Sequence, residues 1–474
     1  MGAIPKQLSP KTSRYGNSCV QKTRGRAGAT EKTAFEKLRA CAMAGRPPIE
    51  DLKKAVVELV PDGVGTAAIA QEFGCSQRRV QQIVKAVGLA RLVEPVHPHL
   101  DDVVCEEACR HGDNYGVAML LGALRAHHPG WSFPRRRVLA ALKADRPEAL
   151  AARRHWAHRR IGRGVYVAHH FAYSWHMDLA CKLQEYGIYV GALIDGDSRK
   201  ALRLVALVDK LPVTIYDKLF APAANSHGLP DQLITDKGSE WCVAAFACLL
   251  LAGLAGRSAA SRRAHRFVPS KRNVRARTLV PPRAATCANA AHVCVPRRLA
   301  PWQTRVERFN YEINMRVLVP VRRLINVLEL RGLLDRYLGK HVYAFSRVMQ
   351  PLVQHGLDLL EAAWNEHSVR PVRNMEHSGG IPNRRAVLRP HPGGQLKLPL
   401  RFDGVHEYEE ARGRPLEHTS RDDGYDSEWC ARPAARARAV AAVVGDIESA
   451  WCELQDCSYT RSIDAYLCFL SYYN

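Results

Sequence analysis

No CxxC pair occurs among the fourteen cysteines, so neither a zinc ribbon nor a small disulfide framework is indicated, and a reducing compartment is expected. Long apolar runs are missing too. The longest, Val243–Gly256, falls short of the roughly 20 residues that a membrane-spanning helix needs, and Met1-Gly2-Ala3-Ile4-Pro5-Lys6 lacks the apolar region of a signal peptide. These absences argue against a membrane or secreted protein. Acidic residues are absent from Ala252 to Pro301, where eleven Lys or Arg stand among Ala and Pro with no sustained period.

What is present is a chain of 474 residues, 47% hydrophobic, enough for two or three domains with real cores. Its net charge of +23 suggests a nucleic-acid partner, because Lys and Arg neutralising phosphates dominate such binding. Nearly half of that charge lies in the acid-free run. Without those eleven cations the chain still carries +12, so the inference weakens but stands.

In chain order, residues 1–45 are basic and read as mostly disordered. Residues 46–92 read as helical. Leu52, Ala55, Val56, Leu59 and Val60 have helical spacing, Pro61-Asp62-Gly63 ends that helix, and Thr66 and Ser76 are good N-caps for two more helices around a Gly-containing turn. Ile69, Ala70, Val80 and Ile83 would form their shared core. This resembles a helix-turn-helix, whose second helix enters the DNA major groove with its N-terminal residues on base edges. Gln77, Arg78, Gln81 and Gln82 would then be the DNA-reading residues, since Arg suits guanine and Gln suits adenine. The plainer alternative is a three-helix module that packs only on protein. A second helical unit, 112–160, carries Arg135, Arg136 and Arg137, to be read as phosphate contacts or as a solvated helix face.

Three stretches hold an acid where a catalytic carboxylate would be needed. Asp178 ends a short apolar-flanked segment that opens with Trp175-His176-Met177. Asp236 ends the apolar run Leu229–Thr235, after β-rich runs at Ile188–Asp195 and Leu202–Val208. Glu307 opens a helical pattern of Val306, Phe309, Ile313 and Val317. A further helix is expected over Leu352–Trp364.

Taken together, the pieces W-H-x-D (Trp175–Asp178), I-D-G-x-S-R (Ile194–Arg199), D-x-G-x-E (Asp236–Glu240), R-x-E-R (Arg305–Arg308) and W-N-x-H-x-x-R (Trp364–Arg370) stand in one order. The segment from about Tyr166 to Arg373 thereby resembles the integrase core domain of DDE transposases and retroviral-type integrases. The resemblance implies an α/β, RNase H-like mixed sheet with flanking helices, preceded by small all-α helix-turn-helix segments, with the core over 166–375. It implies DNA as partner, a nuclear location, and Asp178, Asp236 and Glu307 as catalytic metal ligands for Mg²⁺ or Mn²⁺. Asp178 would serve both ions of a two-metal site that stabilises the attacking and leaving oxygens. Asp195 would lie near the site without being a ligand, and Asp197-Ser198-Arg199 would shape a turn.

The spacing departs from the family in one place. Asp178 and Asp236 are 58 residues apart, which suits it, whereas Asp236 and Glu307 are 71 apart, about twice the family's usual gap. The excess falls in 252–301, read as an irregular basic insertion outside the sheet, either genuine or intronic sequence retained in translation. The strand expected before Glu307 is hard to find there. Two rival functions are a catalytically silent DNA-binding protein and an RNase H-like nuclease. Homo-oligomerisation is left open, and residues 385–474 carry no assigned function.

Overall fold

The computed structural model describes residues 49–61, 64–89, 95–156, 168–255, 264–267, 304–369, 379–392, 394–416, 423–432 and 446–471, with Ala434 and Arg438 besides. The expected N-terminal stretch 1–45 and most of 252–301 lie outside them.

Five strands form one mixed sheet in the order β3-β2-β1-β4-β5: β1 Trp175–Leu183, β2 Ile188–Asp195, β3 Ala201–Leu207, β4 Leu233–Thr235 and β5 His265–Phe267. The first three make an antiparallel meander, and β4 and β5 add in parallel on the other side of β1. Because the sheet is covered on both faces, β2 reads as an almost unbroken apolar run. Val190, Ala192 and Ile194 join the core on one face and Leu193 the core on the other, as the period of two requires.

The strand β5 corrects the expectation for 252–301. His265–Phe267 pairs with Leu233–Thr235, so the acid-free run supplies the edge strand that was hard to find before Glu307. Three residues are too few to show alternation, and Arg262, Arg263 and Ala264 before them carry no strand pattern. Pairing with β4, not an intrinsic pattern, makes them a strand.

On one face of the sheet, α10 Thr304–Ile313 is followed by a π-helical turn, Asn314–Leu318, and by α11 Val319–Leu330. Its Val306, Phe309 and Ile313, with Val317 in the turn, are buried, as the helical pattern predicts. Beside it lies α12 Gly339–Glu366, a 28-residue helix with Pro351 inside it. The expectation of a helix over Leu352–Trp364 stopped at that proline, which removes a donor and normally breaks a helix. Here Phe345, Met349, Leu352, Val353 and Leu360 bury the helix on both sides of the proline, and tertiary packing outweighs the local cost. The opposite face is covered by Ala221–His227 and Cys242–Leu254.

Before the core, α1 Ile49–Leu59, α2 Thr66–Glu72 and α3 Gln77–Ala86 share a small core of Leu52, Val56, Ile69, Phe73, Val80 and Ile83. Ser76 caps α3, accepting from the Arg79 amide at 3.4 Å. Thr66 is not a cap: Gly65 holds that position, and the Thr66 hydroxyl instead accepts from Gln77 Nε2 at 3.2 Å across the two helices. Then follow α4 Leu100–His111, α5 Val117–His127, α6 Arg135–Asp145 and α7 Pro147–Trp156. After the core, α13 Pro382–Leu388 places Leu388 in the small N-terminal core, while Arg389 lies 3.5 Å from Glu72 of α2 and 2.8 Å from Asp197. The chain closes on α15 Ile447–Gln455 and α16 Thr460–Leu470, both packed on α12. Among the described residues, no helix is long and apolar enough to cross a membrane.

Candidate active site

Asp178 sits in the middle of β1, not at its end as its flanking pattern suggested, opposite Ala192 of β2. The parallel register of β1 with β4 pairs Trp175 with Leu233 and His176 with Ile234. Continued by two residues, that register brings Asp236 beside Asp178. Glu307 arrives from above the sheet in the first turn of α10, whose buried Val306 and Phe309 press against it.

Each of the two aspartates is oriented by named donors. Asp178 Oδ1 accepts from the Leu179 amide at 2.9 Å and Oδ2 from Asn310 Nδ2 at 2.8 Å. Asp236 Oδ1 accepts from Trp241 Nε1 at 2.6 Å and from the Gly238 amide at 3.1 Å. Burial pushes the Asp178 carboxyl up to about 7, and the charges of Asp236 and Glu307 push the same way against the bonds from Leu179 and Asn310. The other two acids therefore bear on Asp178. The three are not in mutual contact: among the described residues, the Glu107-His111-His127 and His170-Asp231-His391 groups have ligand atoms all within 4.8 Å of one another, and the three carboxylates do not form such a group.

Asn310 and Trp241 were not anticipated. Asn310 stands three residues after Glu307, so helical spacing puts both on one face, and Trp241 directly follows the Asp236–Glu240 motif. His176, next to Asp178 but one in register, is buried and held neutral, its pKa pushed down to about 3 by burial and then by Arg305. It is a core residue of β1.

Asp195 and Asp197 build a turn, as expected. Asp195 Oδ2 accepts from the Asp197 and Ser198 amides and from Ser198 Oγ, and Oδ1 accepts from the Ala172 amide. The closing motif braces this turn: Trp364 Nε1 donates to the Arg199 carbonyl at 2.8 Å, and the Asn365 amide bonds both the N–H and the C=O of Ala201. Gln77, Arg78, Gln81 and Gln82 are all exposed on α3, and Arg135, Arg136 and Arg137 are exposed at the start of α6, with Arg137 3.8 Å from Asp101.

The strand order, with acids on the central strand, after its parallel neighbour and on the next helix, defines an RNase H-like α/β core. Residues 165–276 match the family model described as integrase core domain, and the chain carries such a domain over that stretch. The match includes Asp178, Asp236 and β5 and ends before Glu307. No curated protein matches the chain.

Proposed function

We propose that the protein is a DDE-type polynucleotidyl transferase that acts on DNA, with Asp178, Asp236 and Glu307 holding Mg²⁺ or Mn²⁺. The observation that carries this reading is the placing of the three acids, with Asp178 on the central strand, Asp236 just past its parallel neighbour β4 and Glu307 in the first turn of α10 over the sheet. Such a cluster ionises fully only when a cation offsets the repulsion, and all-oxygen donors suit hard divalent ions. When bound, these ions supply charge stabilisation to the attacking and leaving oxygens of an in-line displacement. Asn310 and Trp241 hold one oxygen of each aspartate in place, which keeps the ligand set ordered before DNA arrives. Attack by water would nick the strand, and attack by a DNA 3′-hydroxyl would join it to a target. A labelled duplex end incubated with target plasmid tests this: joined product should need Mg²⁺ or Mn²⁺ and vanish with chelator. Metal-independent or absent joining would contradict it.

The unit α1–α3 reads DNA in this proposal, as a helix-turn-helix with α3 in the major groove, and a DNA substrate would place the work in the nucleus. Exposed Arg78 and Gln81 lie one turn apart at the N-terminal end of α3, where base contacts are made. Arg78→Ala should cost about 1–3 kcal/mol at a selected site and little on random sequence, as measured by competition binding. An equal loss on all sequences would make Arg78 a phosphate contact.

A further inference from the structure

Among the described residues, two clusters outside the acid trio bring imidazole and carboxylate ligand atoms together. In the first, Glu107 of α4 meets His111 and His127, but Arg110 already pairs with the same carboxylate and with Glu448. Its charge is balanced by the protein itself.

The second joins His170, Asp231 and His391. His170 Nδ1 lies 2.9 Å from the Phe171 carbonyl, an oxygen that can only accept, so Nδ1 carries the proton and the Nε2 lone pair faces outward. It faces Asp231 Oδ2 at 3.4 Å. That is longer than the roughly 2.7–2.9 Å of a charge-assisted hydrogen bond, and the pair does not align as one. It is the separation of two ligands on one tetrahedral ion with bonds of about 2.0–2.1 Å. An imidazole whose other nitrogen donates to a backbone carbonyl is also the usual arrangement of a metal-ligating histidine. His391 completes the group: its Nε2 donates to Asp231 Oδ1 at 2.8 Å, a proton that a bound ion would displace, and its ring crosses that of His170 at a centroid distance of 4.7 Å. Both histidine side chains are buried, while Asp231 is 26% exposed, the side from which a water would reach the ion as fourth ligand.

The surroundings hold these residues in place. Ala172, at φ 60°, bonds through its amide to Asp195 and through its carbonyl to the Asp231 amide. The Phe171 amide donates to the Arg389 carbonyl at 2.7 Å, and the Leu229 amide to the Leu396 carbonyl at 2.6 Å. His170 thus precedes β1, Asp231 precedes β4, and His391 lies on the segment after α13. This is the end of the sheet where β1 and β4 begin, away from the end that carries Asp236.

We propose that His170, Asp231 and His391 bind one Zn²⁺ ion, which staples the segment after α13 to the starts of β1 and β4. That same segment carries Leu388 and Arg389, the contacts to the N-terminal helical unit, so the ion fixes how this unit docks on the core. Two imidazoles and one carboxylate suit Zn²⁺ over Mg²⁺.

Co²⁺ serves as the visible probe. The full chain, stripped by chelator dialysis and kept in excess Mg²⁺ to occupy carboxylate sites, should take up one equivalent of Co²⁺ with the intense bands of four-coordination, and Zn²⁺ should displace it. His391→Ala and His170→Gln should each weaken binding at least about tenfold. His391→Ala lies on an irregular segment and decides the matter if His170→Gln fails to fold. Absent bands, binding unchanged in His391→Ala, or binding lost in His127→Ala instead would overturn the proposal.

Discussion

Asp178→Asn should stabilise the metal-free protein at pH 8 and abolish the metal-dependent strand transfer proposed for it. The carboxyl of Asp178 is pushed up to about 7 by burial and by its two acidic neighbours, whereas an unfolded Asp titrates near about 3.9. The folded state therefore holds this proton more tightly than the unfolded one. Its stabilising contribution is complete below about pH 4 and is lost as pH rises through about 7. Asparagine removes that loss. At about 1.4 kcal/mol per pKa unit, less a discount for partial access to water, the gain at pH 8 is on the order of 2 kcal/mol. Saturating Mn²⁺ should reverse the order, because the wild-type site gains binding free energy that the variant cannot. Thermal melts at pH 5 and pH 8, with and without Mn²⁺, read all of this. A variant less stable than wild type in every condition would mean that Asp178 is an ordinary structural carboxylate.

Trp451→Ala should cost about 3–5 kcal/mol of global stability, the usual range for emptying a large aromatic from a core. The indole is 2% exposed and belongs to the same apolar cluster as Phe345, Met349 and Phe309. It seats on α12 at Gly356, where an added Cβ would come within 2.2 Å of the ring. Tyr466 and Phe469 of α16 join the same cluster. The urea transition that unfolds this core should move to lower denaturant. A loss below about 1 kcal/mol, in the range of surface changes, would mean that α15 and α16 are an appended unit rather than part of the core.

Much of this architecture is legible in the residues, and the gaps have physical causes. Strands β2 and β3 announce themselves because both faces are buried, and α10 because Val306, Phe309, Ile313 and Val317 keep one period. The acids were found through ordered motifs, and the structure gives those motifs reasons: Trp364 and Asn365 brace the turn that Asp195 caps. The edge strand β5 escaped because pairing alone defines it. Helix α4 escaped because its inward face carries Glu107 and His111, buried polar residues that blur the apolar stripe. Pro351 hid the first half of α12. The C-terminal pair had a readable signal, with Ala450, Trp451 and Leu454, then Ala465, Tyr466 and Phe469, at helical spacing, but no motif to attach it to the core. Asn310 required knowing that Glu307 opens a helix over the sheet.

The central claim is that Glu307, across the anomalous interval from Asp236, completes a divalent-metal site with both aspartates. The measurement that tests it most directly is Mn²⁺ binding by electron paramagnetic resonance on wild type and Glu307→Gln, with Zn²⁺ supplied to both. Wild type should bind Mn²⁺, and Glu307→Gln should bind fewer equivalents or bind at least about tenfold more weakly, roughly 1.4 kcal/mol. Identical titrations would remove Glu307 from the site, and no Mn²⁺ binding by wild type would contradict the account as a whole.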